Sequence, residues 1–142
     1  MKPTQSGTFN PVTAMTQTPS VQTQSTSPAE LPPMEYRRFG RTNESISVLT
    51  LGGMRFQNVW DPPRWHLPKA ALDNCLDITR RALDAGINHI ETAYGYVKSE
   101  HLYGWALKEL GTARSDFKMM TKGAPMTAED TRRMVEEQLN AL

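Results

Sequence analysis

Residues 87–96, Ile87-Asn88-His89-Ile90-Glu91-Thr92-Ala93-Tyr94-Gly95-Tyr96, decide how the chain is read. The short run Ile87 to Thr92 stands between two helical patterns and reads as a strand. Before it, Leu72, Cys75, Leu76, Thr79, Ala82 and Leu83 fall on one helical face, and Gly86 sits where a C-terminal cap belongs. After it, Ser99 is placed to cap a second helix, with Leu102, Tyr103, Ala106, Leu107 and Leu110 inside and Gly111 at its end. Further out, Val48 to Leu51 runs apolar into Gly52-Gly53 and reads as a buried strand. Phe117 to Thr121 reads as another. Thr127, with Asp130 three residues on, opens a third helix with Thr131, Val135, Gln138, Leu139 and Leu142 along its face. Such alternation specifies an α/β fold, a parallel sheet with crossover helices.

Upstream, Met34 to Phe39 alternates, Gly40-Arg41-Thr42-Asn43 interrupts, and Ile46-Ser47-Val48 resumes. That is a β-hairpin pattern with a loop longer than two residues. Residues 57–69 hold Pro62, Pro63 and Pro68 with Trp60 and Trp65 and form a long loop, of the kind that tends to be functional. The first 33 residues hold 7 Thr, 4 Ser, 4 Gln and 6 Pro, with Lys2 and Glu30 as the only charges. Single, aperiodic apolar residues cannot offset the ordering entropy, so residues 1–33 read as a disordered tail and the folded part as residues 34–142. The Ser/Thr-rich, acid-poor tail also suits a transit peptide, although no arginine precedes Arg37.

The chain has 142 residues, enough for one domain at most. A net charge of +1 gives no argument for nucleic acid or an anionic membrane surface. No apolar run of the ~18 residues needed for a span is present, and no apolar core follows Lys2. A lone cysteine, Cys75, leaves no disulfide framework and no cysteine-built metal site. Together these point to a cytoplasmic, membrane-free chain with no metal ligands, its oligomeric state unreadable.

The third helical pattern has no fourth strand to lead into, and the third strand leaves an unpaired edge. The expectation is the N-terminal part of a larger fold, cut after the third β/α unit of a (β/α)₈ TIM barrel, which takes ~250 residues.

Leu51-Gly52-Gly53-Met54, Glu91-Thr92-Ala93-Tyr94-Gly95-Tyr96, Ser99-Glu100 and Thr121-Lys122, each strand-end motif in the expected order and separation, resemble an aldo-keto reductase. The resemblance covers residues 34–142. Glu35 to Thr42 and Ile87 to Ala93 are most similar to a bacterial branch that often carries a C-terminal iron–sulfur extension. What the resemblance implies is a barrel plugged by an N-terminal hairpin that reduces a small-molecule carbonyl, aldehyde or ketone, to an alcohol. NADP is the implied cofactor, with NAD left open, and any iron–sulfur cluster would belong to a C-terminal part. Tyr96 matches the family's proton donor, Lys122 the cation that assists it, and Glu91 the position where most members carry Asp. Gly53 and Met54, with Glu91, match the nicotinamide-ribose side of the cofactor site. The family's fourth-strand histidine and late phosphate-binding loops have no counterpart in these residues, so the chain alone is expected to be inactive. The alternatives are a non-catalytic or regulatory product that keeps the fold, or a truncated reading frame.

The chemistry explains the residue types. Carbonyl reduction needs a hydride on carbon and a proton on oxygen, and a free phenol, with a pKa near ~10, is a poor donor unless a cation stands beside it. Strand alternation puts Ile87, His89 and Glu91 on one face and Lys118, Met120 and Lys122 on the matching face of the next strand. Glu91 and Lys122 then become neighbours at the C-terminal rim, where such barrels keep their active sites. His89, two residues deeper, is expected to be a hydrogen-bonded structural histidine. Trp60 and Trp65 either line a substrate pocket or cover the barrel mouth.

Overall fold

A computed structural model describes residues 32–142. The tail reading for residues 1–33 falls almost wholly outside the described residues. The elements run β1 (Tyr36–Arg38), β2 (Ser45–Ser47), β3 (Leu51–Gly52), α1 (Lys69–Asp84), β4 (His89–Glu91), α2 (Ser99–Glu109), a single 3₁₀ turn at Arg114–Asp116, β5 (Lys118–Met120) and α3 (Ala128–Ala141). β1 and β2 pair antiparallel, and β3, β4 and β5 form a parallel sheet in sequence order. This is the α/β alternation that the apolar pattern specifies.

The helix ends set the geometry. Gly86 and Gly111 both take positive φ, +84° and +63°, a conformation glycine adopts without a Cβ penalty. Behind Gly86, the Ile87 N–H donates to Ala82 O at 2.9 Å and the Gly86 N–H to Leu83 O at 2.9 Å. Behind Gly111 the pair recurs, Thr112 N–H to Leu107 O at 3.1 Å and Gly111 N–H to Lys108 O at 3.0 Å. Both are Schellman turns, and each reverses the chain into the following strand. α3 starts at an N-cap, Thr127, whose hydroxyl accepts from the Asp130 N–H at 3.0 Å.

The core lies between the sheet and α1/α2. Ile90, Leu102, Tyr103, Ala106, Ala71 and Cys75 are fully buried in one cluster with Phe56, Val59, Leu107 and Phe117. Burial pushes the Cys75 thiol up to about 12, against a smaller opposing effect of its contact with Thr79.

Three sequence expectations change. Val48 and Leu49 are exposed, not part of a buried strand. The apolar run spans the change from one sheet to the next: Val48 N–H still donates to Glu35 O, and Ser47 Oγ donates to Leu49 O at 2.6 Å where the chain turns. Ser99 does not cap α2. Lys98 takes the N-cap position with helical backbone, and the Ser99 hydroxyl turns inward to accept from Thr92 Oγ1 at 2.7 Å. On α3, Gln138 is buried while Val135 and Leu139 lie open.

The β1–β2 pair is fastened near the N-terminal end of β4. Ser47 N–H donates to Asn88 Oδ1 at 2.8 Å, Asn88 Nδ2 donates to Ser45 O at 3.0 Å, and the Tyr36 hydroxyl donates to Gly86 O at 2.7 Å. The opposite end of the strands is left for the residues described next.

Candidate active site

β4 and β5 align Glu91 with Met120. The parallel ladder runs on past both strands: Thr92 N–H donates to Met120 O and Tyr94 N–H to Lys122 O, each at 2.8 Å. Alternation therefore sends Ile90 and Thr92, both fully buried, toward the helices and leaves His89 and Glu91 on the other face. On that face Lys122 Nζ pairs with Glu91 Oε1 and donates to Thr92 O at 3.2 Å. The same ammonium lies 4.9 Å from the centroid of the Tyr96 ring. Glu91, Lys122 and Tyr96, the three residues assigned to catalysis from the sequence, thus form one connected group at the C-terminal edge of the sheet. The Lys122 side chain is 52% exposed, so the ion pair adds little stability; its effect is to place the ammonium.

Two tyrosines stand near this edge, and their surroundings separate them. The Tyr94 hydroxyl donates to Glu137 Oε2 at 2.6 Å, and that bond, helped by burial, raises its pKa. Its ring faces the Arg64 guanidinium at 3.8 Å. Tyr96 is half-buried, has Lys122 over its ring and meets the edge of Trp60, with centroids 5.9 Å apart. Of the two, Tyr96 is the one beside an amine.

The glycine pair after β3 divides its roles. A Cβ on Gly53 would run into Ser99 Oγ and would lie 2.6 Å from Tyr103 Cε2 and 3.2 Å from Thr92 Oγ1. Its bare backbone lets α2 close onto the sheet, so the room is taken by protein. Its N–H is also used, donating to Glu91 O at 2.9 Å. Gly52, paired with Glu91, has open space where its Cβ would be. Met54 is exposed beside it. The open approach therefore lies over Gly52, next to Glu91.

His89 has the structural partner expected of it: Nδ1 lies 2.9 Å from Thr50 Oγ1, and its ring lies 6.3 Å from that of Phe39. Trp60 packs on Tyr96 with 45% of its surface still open, and Trp65 is more exposed, at 73%. A buried polar cluster was not foreseen. Glu100 is 1% exposed; its Oε2 accepts from Arg64 at 2.9 Å and its Oε1 accepts from Thr121 Oγ1 at 2.6 Å and Gln138 Nε2 at 2.9 Å. Lys98 is fully buried and donates to Pro63 O at 2.6 Å. A glutamate in the first turn of a helix needs no more than the helix dipole to explain it. Nothing local in the sequence marks Arg64 as its partner.

The ion pair and the tyrosine stand at the C-terminal edge of a parallel β/α sheet, the edge at which α/β barrels keep their active sites. The model of the aldo/keto reductase family matches residues 48–142, and the chain belongs to that family. Among solved structures it is similar to a candidate aldo-keto reductase from Pseudomonas aeruginosa, at 31% identity with a TM-score of 0.60 over 75% of this chain and 42% of that one. A second structure, also of a candidate aldo-keto reductase from Pseudomonas aeruginosa, matches at 28% identity with the same coverage and a TM-score of 0.60. The chain spans about 42% of the length of these relatives.

Proposed function

We propose that these residues supply the proton-donor corner of an NADP-dependent oxidoreductase, inside a (β/α)₈ barrel, that reduces an aldehyde or ketone to an alcohol. The observation that carries the reading is the Lys122 ammonium, held by Glu91 and poised over the Tyr96 ring. The nicotinamide cofactor, when bound, supplies the hydride that adds to the carbonyl carbon. Tyr96 gives its phenolic proton to the carbonyl oxygen as negative charge builds there. Lys122 favours that transfer by stabilising the phenolate left behind. Glu91 keeps the lysine in place. The open space over Gly52 beside Glu91 suits the close approach of a flat ring, with Gly52, Met54 and Glu91 as the cofactor-side contacts, while Gly53, closed in by Ser99 and Tyr103, serves the packing of α2 on the sheet. Glu91 is one methylene longer than the family's usual Asp, so its side chain must fold back to hold the same lysine.

The 142 residues alone are proposed to be inactive, and the test belongs in a complete barrel that carries them. That protein should consume NADPH when given an aldehyde or ketone. Lys122→Met should lower kcat by about 10²–10⁴-fold, the scale of lost acid–base assistance, while cofactor fluorescence still titrates. A parental kcat in that variant would rule the reading out.

A further inference from the structure

The loop between β3 and α1 does not lie free over the site. It is fastened to the start of α2 at three points, and those points flank Tyr96. The Lys98 N–H donates to Val59 O at 3.1 Å. Lys98 Nζ, fully buried, donates to Pro63 O at 2.6 Å. Arg64 donates to Glu100 Oε2 at 2.9 Å and to Tyr94 O at 3.3 Å, and it reaches Glu137 Oε2 at 3.4 Å. Trp60, which packs on Tyr96, lies between Val59 and Pro63 on this loop.

The backbone adds a second observation. Val97, directly after Tyr96, has φ +45°. A β-branched residue takes that conformation only where its surroundings over-determine it, at a cost of order 1–3 kcal/mol. The bonds that flank Val97 on its C-terminal side are the two from Lys98 to the loop. Tyr96 is thus held from two directions, by the strained backbone of Val97 that follows it and by the Trp60 ring, and both are anchored by the same clamp.

We propose that Lys98 and Arg64 are positioning residues for Tyr96. By locking the β3–α1 loop to α2, they fix Trp60 against the Tyr96 ring and set where the phenol stands relative to Lys122. Neither touches the reacting atoms. The idea rests on the proton-donor reading above for its catalytic consequence, and on the loop contacts for its geometry.

The test uses two variants of the complete barrel. Lys98→Met keeps the buried alkyl stem and removes the ammonium. The double change Arg64→Met with Glu100→Gln removes both members of the other anchor, so no lone charge is left buried. Acrylamide quenching of Trp60, read in a background where Trp65, Trp105 and any tryptophan in the rest of the barrel are changed to Phe, reports the loop; kcat and KM report the chemistry. Quenching should rise in both variants above that of the parental Trp60, which is 45% exposed, and kcat should fall roughly ten- to a hundredfold with the cofactor KM nearly unchanged, the scale of a misplaced catalytic group. Unchanged quenching in both variants, in an active parent, would overturn the clamp alone. Raised quenching with parental kcat would overturn its positioning role. A parent that reduces no carbonyl would sink the reaction proposed above and this role in it together.

Discussion

The two faces of the parallel sheet are built differently. On the face toward α1 and α2, Ile90 and Thr92 are sealed under Leu102, Tyr103 and Ser99, and even the Thr92 and Ser99 hydroxyls satisfy each other. On the other face Gly52 points into open space, Met120 is 42% exposed, and the Glu91–Lys122 pair stands partly in solvent. α3 is divided in the same way. Its Gln138 is tied into the buried Glu100 cluster, while Leu139 is 76% exposed. One face holds the chain together and the other presents the proposed site, so equal substitutions on the two should have unequal consequences.

The largest contrast should come from one side-chain truncation made on each side. Leu102→Ala, at a fully buried position, should cost about 2–5 kcal/mol. Leu139→Ala, at an open one, should stay within about 0.5 kcal/mol. Chemical denaturation of the 142-residue chain checks both, and similar losses at the two sites would break the comparison. Smaller, and sharper, is Gly53→Ala. The added methyl must displace Ser99 and Tyr103, an overpacking that should cost about 1–3 kcal/mol. At Gly52, where nothing lies within 4 Å, the same change should be near neutral by the same denaturation measurement. The smallest effect is on reactivity alone. Cys75, buried and with its thiol pushed up to about 12, should react with a thiol reagent only as fast as the core opens. Labelling at the rate of a free thiol in the native chain would show that the helix-side core is not closed.

How much of this was legible in the sequence follows from which contacts are local. Strand phase could be read from alternation alone, and it put His89 and Glu91 on one face of the strand and Lys122 on the matching face of the next. The strand-end spacing then brought Glu91, Lys122 and Tyr96 together, because a parallel ladder converts sequence offset directly into neighbourhood. The helix stops were legible too, since Gly86 and Gly111 are where the backbone needs positive φ. What could not be read is whatever depends on distant partners. Val48 and Leu49 read as buried from their hydrophobicity alone, but they fall between two sheets and are exposed. Ser99 looked like a cap because no local rule says that Thr92 claims its hydroxyl. The anchoring of Arg64 on Glu100 joins residues 36 positions apart, and it involves a loop without any period to phase it. The Tyr94/Tyr96 choice rests on both kinds of information: the motif named Tyr96, and Glu137, supplied by α3, shows how Tyr94 is otherwise engaged.

The central claim is that Tyr96 donates the proton, and a single-turnover measurement of hydride transfer in Tyr96→Phe, in the complete barrel, tests it most directly. The change removes one hydroxyl and keeps the ring that Trp60 and Lys122 contact. The account predicts unchanged cofactor binding and a transfer rate lower by about two or more orders of magnitude. Transfer at the parental rate would contradict it, and the fold would then be present without the proposed mechanism.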